Sequence, residues 1–317
     1  MGINFIYDEI EAVISIIDRG IDGSLYDTDW IRLFESQGYQ LLKKRESKMG
    51  TPFTDEAFQT FMITLIKKKL IEPYQLSLRR FKDIDLNLIQ KMVMAYLPEK
   101  SVFNTTVIPI IKPKKNSFVH RIEGESYLFI YLEPNDLKAR LENKLIHELH
   151  HIGLDSVYDP SKYFDLGVQA KKLIEWTNAF GEGFAMLAAA GGPGYHPVPF
   201  DDEAGRVWDE NIRNYQVDFD KIQQFLFNIL EDKFQNEKEL MEKGMELMMN
   251  NGGQGSWYTV GWRISVIIEE ILGRTVLIKC MEDLRKFYFN YNQAVKIFNE
   301  KNHLKLPSWN KKITNNL

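Results

Sequence analysis

Residues 147–151 read His-Glu-Leu-His-His, a stretch that on a helix separates an apolar side from a polar one. At about 100° per residue, Leu141, Leu145, Leu149 and Ile152 fall on one side of a helix, while His147 and His151 lie within about 40° of each other on the other. The apolar stripe predicts a buried helix, and the two imidazoles share its opposite face. That frame contains the pattern His-Glu-x-x-His, which places two histidine nitrogens on one Zn²⁺ and a carboxylate, Glu148, beside them. The metal ligands expected here are His147 and His151, with Glu148 as general base. His150 belongs to neither face and is expected to be a bystander or to orient a ligand.

A catalytic zinc takes three protein ligands and keeps a fourth position for water. The pattern that supplies a third histidine would need Gly at 154 and His at 157, and the chain has Leu154 and Val157 there. A glutamate on a downstream helix is the other common solution. Residues 171–190, KKLIEWTNAFGEGFAMLAAA, predict one helix with Leu173, Trp176, Phe180, Phe184 and Leu187 on its buried side. Glu182, Asn178 and Glu175 share the polar side, which makes Glu182 the expected third ligand. Gly181 and Gly183 cost roughly 1 kcal/mol each in helix propensity, which points to close backbone approach, expected from the His-Glu-Leu-His-His helix.

Glu182-Gly183-Phe184-Ala185 resembles the third-ligand helix of gluzincin peptidases, above all the Asn-Glu-Gly-Phe-Ala stretch of the aminopeptidase N family. Over residues 100–290 the chain resembles a bacterial family of zinc-dependent peptidases that share the HELHH helix, the EGFA helix and a Tyr-x-x-Gly helix, here Tyr258 to Gly261. The resemblance implies one Zn²⁺ per chain, a peptide or protein substrate, and a zincin-like α+β fold. In that fold a small mixed sheet and the active-site helix precede a helical C-terminal lobe. It also implies that a Tyr or His of the C-terminal lobe steadies the oxyanion, for which Tyr258 is the candidate. The Gly-x-Met-Glu-Asn motif that reads a free amine in aminopeptidases is missing, and Met186 stands where thermolysin-like enzymes carry an Asp. Asp155, Asp165 and Glu175 are candidates to orient the ligands in its place. A zinc amidase or esterase acting on a non-peptide substrate, and a zinc-binding regulatory module, are the alternative readings; the general base Glu148 argues against the module.

The 317 residues suffice for one large domain or two lobes, expected as 1–157 and 158–317 forming one catalytic unit. Net charge is −4, with 40 basic and 44 acidic residues mixed along the chain, so no nucleic-acid partner is expected. The single Cys280 sits in an apolar run and is expected to be a core thiol. The N-terminal stretch is an acidic amphipathic helix rather than a signal peptide, and no apolar run approaches the ~18 residues of a membrane span. A cytoplasmic protein with no membrane partner is therefore expected.

Helices are predicted near 5–18, 28–36, 54–70 and 84–96, the third capped by Thr54. Residues 103–112 and 126–133 predict strands, the first demoted to an edge by Pro109 and so a candidate to align an extended substrate. The Gly- and Pro-rich loop 190–203 carries Tyr195 and His196, which could reach the site. Helices follow near 203–214, 217–232 and 235–249, their Met and aromatic stripes expected in the core. Residues 250–256, NNGGQGS, predict a lid hinge or a plain connection. Beyond it a buried helix ends at Gly273 and an amphipathic one covers Phe287–Phe298. Arg263, on that buried helix, is a weaker candidate for a substrate carboxylate.

Overall fold

A computed structural model describes residues 2–50, 53–200, 203–250 and 253–317. The fold is α+β and predominantly helical, in two compact units: residues 1–90 with 102–152, and residues 91–101 with 153–317.

In the first unit, β1 (Gly2–Phe5) leads into α1 (Asp8–Asp22), α2 (Asp27–Glu35), α3 (Gln37–Lys48), α4 (Asp55–Lys67), α5 (Ile71–Lys82) and α6 (Leu86–Met94). Next come β2 (Asn104–Ile110), β3 (Phe118–Ile122), β4 (Glu125–Tyr131) and α7 (Lys138–Asp155). The division between the units falls inside α6 and α7. The first predicted helix thus starts three residues late, because residues 2–5 pair as a strand with β2. Ile10, Val13 and Ile17 of α1 are fully buried at helical spacing, and α1 packs on α2, α3, α4, α5 and β2. Thr54 caps α4 as expected, its hydroxyl accepting from the Ala57 amide at 3.2 Å.

The sheet has the order β1-β2-β4-β3, parallel except for the antiparallel β3. Pro109 does not mark an edge: β2 lies inside the sheet, between β1 and β4. The Val107 carbonyl accepts from Ile6 on the β1 side and the Ile110 carbonyl accepts from Leu132 on the β4 side. By that alternation the Pro109 nitrogen points to the β1 side, past the last paired residue of β1, where no donor is needed. Strand β3 went unpredicted; Glu123 and Gly124, both at positive φ, close the two-residue turn that folds it onto β4. One sheet face packs Ile108, Ile110 and Phe129 against Leu41 and Leu42 of α3.

In the second unit, α8 (Val168–Thr177) and α9 (Gly181–Ala190) are separated by a 3₁₀ turn at Asn178–Phe180, so the stretch 171–190 is not one helix. The Thr177 hydroxyl turns back to the Leu173 carbonyl at 2.8 Å and meets Tyr288 at 2.7 Å where the helices part. Then follow α10 (Glu203–Arg213), α11 (Tyr215–Leu230), α12 (Glu237–Glu246), the hairpin of β5 (Met249–Asn250) and β6 (Gly253–Gln254), α13 (Ser256–Leu272), α14 (Arg274–Glu282), α15 (Arg285–Asn302) and α16 (Lys311–Thr314). Helix α13 is the central element, packed on α9, α10, α11, α14 and α15. An aromatic set of Phe180, Trp257, Phe287 and Trp309 fills the core, and Cys280 is buried as expected. The methionines of α12 depart from expectation: Met241 and Met245 are about half exposed, and so is Met249 just after the helix. The 250–256 segment is not a plain connection: Met249–Asn250 and Gly253–Gln254 pair as strands, and 251–252 lie outside the described residues. Among the described residues no helix is long and apolar enough to cross a membrane.

The glycines of α9 meet a different partner from the one predicted. A Cβ on Gly183 would lie 2.2 Å from the backbone of Gly261 and Trp262 in α13, whereas one on Gly181 would meet Leu154 at an ordinary 3.6 Å. We expect Gly183→Ala to destabilise the protein by about 1–3 kcal/mol or more through forced separation of α9 and α13. Gly181→Ala should be neutral or stabilising by up to ~1 kcal/mol; urea unfolding of the two variants distinguishes the positions.

In the first unit Glu9 is fully buried. Burial raises its carboxyl well above the ordinary 4.5, with the Ile111 amide opposing and Asp8 adding to the shift. A carboxyl raised in the folded state favours folding below its unfolded value and loses that contribution as pH climbs from about 4.5 toward the folded value. Glu9→Gln is therefore expected to stabilise the protein at neutral pH by roughly 1–3 kcal/mol. It should also flatten the fall in stability above pH ~4.5, measured by denaturant titration at a series of pH values.

Candidate metal centre

Helix α7 is anchored at its start. The Asp136 carboxylate, almost fully buried, accepts from Lys144 at 2.7 Å and lies 3.7 Å from Arg140. The Asp136 amide donates to Ser77 on α5, and Lys138 donates to the Asp83 carbonyl. Leu141, Leu145 and Leu149 are fully buried and Ile152 nearly so, as the stripe requires. A second buried row, Ile146, His150 and Gly153, runs beside it, so His150 is a core residue of α7 rather than a bystander at its surface.

His147, Glu148 and His151 are half-buried. The Nε2 atoms of His147 and His151 are 3.1 Å apart, their rings 4.8 Å between centroids and steeply inclined at 78°. Two nitrogens held by one tetrahedral zinc at ~2.0–2.1 Å would be about 3.3 Å apart, so the pair is already spaced as zinc requires. Glu182 stands half-buried in the first turn of α9, where the positive end of the helix dipole favours its charge. His147, His151 and Glu182 each offer one ligand atom, all within 4.8 Å of one another. Two imidazoles and one carboxylate make a donor set that suits Zn²⁺ in a site keeping a fourth position for water.

Tyr258 is half-buried in the first turn of α13, which opens at Gly255 just beyond the hairpin. Asp155, Asp165 and Glu175 are exposed. His196 is engaged at both ring nitrogens: Nε2 lies 2.9 Å from Asp209, and Nδ1 accepts from the Val198 amide at 3.1 Å. That pairing braces loop 190–203 on α10, and neighbouring Tyr195 is exposed. Arg263 lies over the Phe298 ring at 5.3 Å, a packing role on the α15 side. Sequence reasoning did not single out Gln254, whose side-chain amide donates to the Met186 sulfur at 3.5 Å, one turn after Glu182. Its signal was hidden in a Gly-rich segment with no hydrophobic period.

No curated protein and no solved structure matches the chain. Residues 24–300, however, match a family over most of the chain's length, and the chain belongs to that family, described as Putative zinc dependent peptidase (DUF5700).

Proposed function

We propose that this chain is a zinc-dependent metallopeptidase of the gluzincin type, with Zn²⁺ held by His147, His151 and Glu182. The observation that carries the reading is the 3.1 Å separation of the two Nε2 atoms on one helix face, with the Glu182 carboxylate in the same cluster. Membership of the zinc-dependent peptidase family supports the same metal and the same class of substrate, a peptide or protein.

Zinc in such a donor set acts as a Lewis acid, acidifying water and polarising a carbonyl. The work of the chain's own residues follows from their positions in the sequence and on the helices. Glu148 adjoins His147, and its carboxylate takes the proton of the attacking water and returns it to the leaving nitrogen. That role needs a carboxylate beside the metal ligands but not among them. Tyr258 offers a hydroxyl to the carbonyl oxygen as negative charge builds there. The buried leucine row of α7 fixes the rotation of the helix, so the ligand face keeps its direction without support from the ligands themselves.

Elemental analysis of untagged protein prepared without chelators should give about one zinc per chain, lost in His147→Ala and much reduced in Glu182→Ala. Full retention in Glu182→Ala would move the third ligand to Glu175, Asp165 or His196. Glu148→Gln should keep the zinc and lower kcat/KM for peptide hydrolysis by on the order of 10²–10⁴. A Glu148→Gln enzyme as active as the parent would overturn the assignment of the base.

A further inference from the structure

The β5–β6 hairpin brings one polar side chain onto the helix that carries Glu182. Its backbone is pinned from several sides: the Gly255 amide donates to Met248 O at 3.0 Å, Trp257 to Leu247 O at 3.3 Å, and Asn211 Nδ2 to Gln254 O at 2.8 Å. With its main chain so fixed, the half-buried Gln254 directs its carboxamide to Met186 Sδ at 3.5 Å. Met186 is four residues after Glu182, on the same face of α9 and about 6 Å further along the axis. Helical side chains lean toward the N-terminus, so the Met186 sulfur is displaced from its own turn toward that of Glu182.

A thioether is a weak acceptor, and among the described residues the Gln254 Oε1 accepts no hydrogen bond. The carboxamide thus has a donor spent on a poor partner and an acceptor with no partner among them, on the helix that carries the third ligand of the proposed zinc and one turn beyond it. A secondary amide is the complement of such a group: its carbonyl accepts from the carboxamide N–H and its N–H donates to Oε1. We propose that Gln254 is a specificity-determining residue that hydrogen-bonds a peptide unit flanking the scissile bond, so that the site takes peptides rather than small esters or acyl amides. The inference rests on the zinc peptidase reading above. The Met186 contact holds the carboxamide when no substrate is present, and substrate replaces it with oxygen and nitrogen partners.

The test uses zinc-loaded full-length protein and three chelating probes: acetohydroxamate, and two trialanine hydroxamates whose peptides extend in opposite directions from the metal-binding group. Binding is followed by calorimetry for the parent, Gln254→Ala and Gln254→Met, the last keeping the apolar contact with Met186. Zinc content is measured alongside. Loss of one or two hydrogen bonds should weaken at least one peptide hydroxamate by ~3- to 10-fold in both variants. Acetohydroxamate affinity and zinc content should be unchanged. Equal affinity of both peptide probes for parent and variants would overturn the proposal, and so would an equal loss for acetohydroxamate, which marks a merely structural role. A parent protein that takes up no zinc or binds none of the probes would instead overturn the zinc peptidase reading itself.

Discussion

The backbone of α9 is pressed against α13 at Gly183 and Gly261, and no side chain fits between them. This crossing sets the rotation of α9. Gly183 must face α13, so Glu182, 100° round the helix, is turned to a neighbouring side, and Met186 with it. The aromatic set around Phe180 and Trp257 fixes the approach from the N-terminal end of α9, with Trp309 held by a pair of hydrogen bonds to Asn292. A glutamate without such a backing could swing through several rotamers, and ordering it on a metal would cost conformational entropy.

Helix α7 solves the same problem with a different device. Its ligand face is set by a leucine row in the core and by the nearly buried Asp136 at its start, whose carboxylate accepts from Lys144 and lies 3.7 Å from Arg140. Burying His150 as well leaves little freedom for the helix to roll. The price of this rigidity is a core histidine, and the gain is a pair of imidazole nitrogens already spaced for one ion.

The two glycine-flanked motifs are therefore one structural unit. Gly183 in the EGFA stretch and Gly261 in the Tyr-x-x-Gly stretch look independent along the chain, yet a Cβ on Gly183 would strike the backbone of Gly261 and Trp262, and one on Gly261 would crowd Phe180 and Gly183. The same packing draws the start of α13, with Tyr258, and the preceding hairpin, with Gln254, toward α9.

Much of this was readable from residue order. The periodic leucines of 141–152 dictated a helix with His147 and His151 opposite the core, because helical periodicity is a local property. The strands at 104–110 and 125–131, the Thr54 cap and the buried Cys280 were legible for the same reason. What required the folded chain was every choice of partner. Pro109 reads as an edge signal until β1 is seen to stop before it. Gly183 reads as room for α7 until α13 is found against it. Residues 177–180 read as helix until the Thr177 hydroxyl competes for a helical carbonyl and meets Tyr288. The α12 methionines Met241 and Met245 read as core, and in the folded chain they are about half exposed. Local sequence determines periodicity, caps and donor spacing within one helix; which surfaces meet depends on residues far apart in the chain, 78 positions for Gly183 and Gly261 and 111 for Thr177 and Tyr288, and only the tertiary structure decides that.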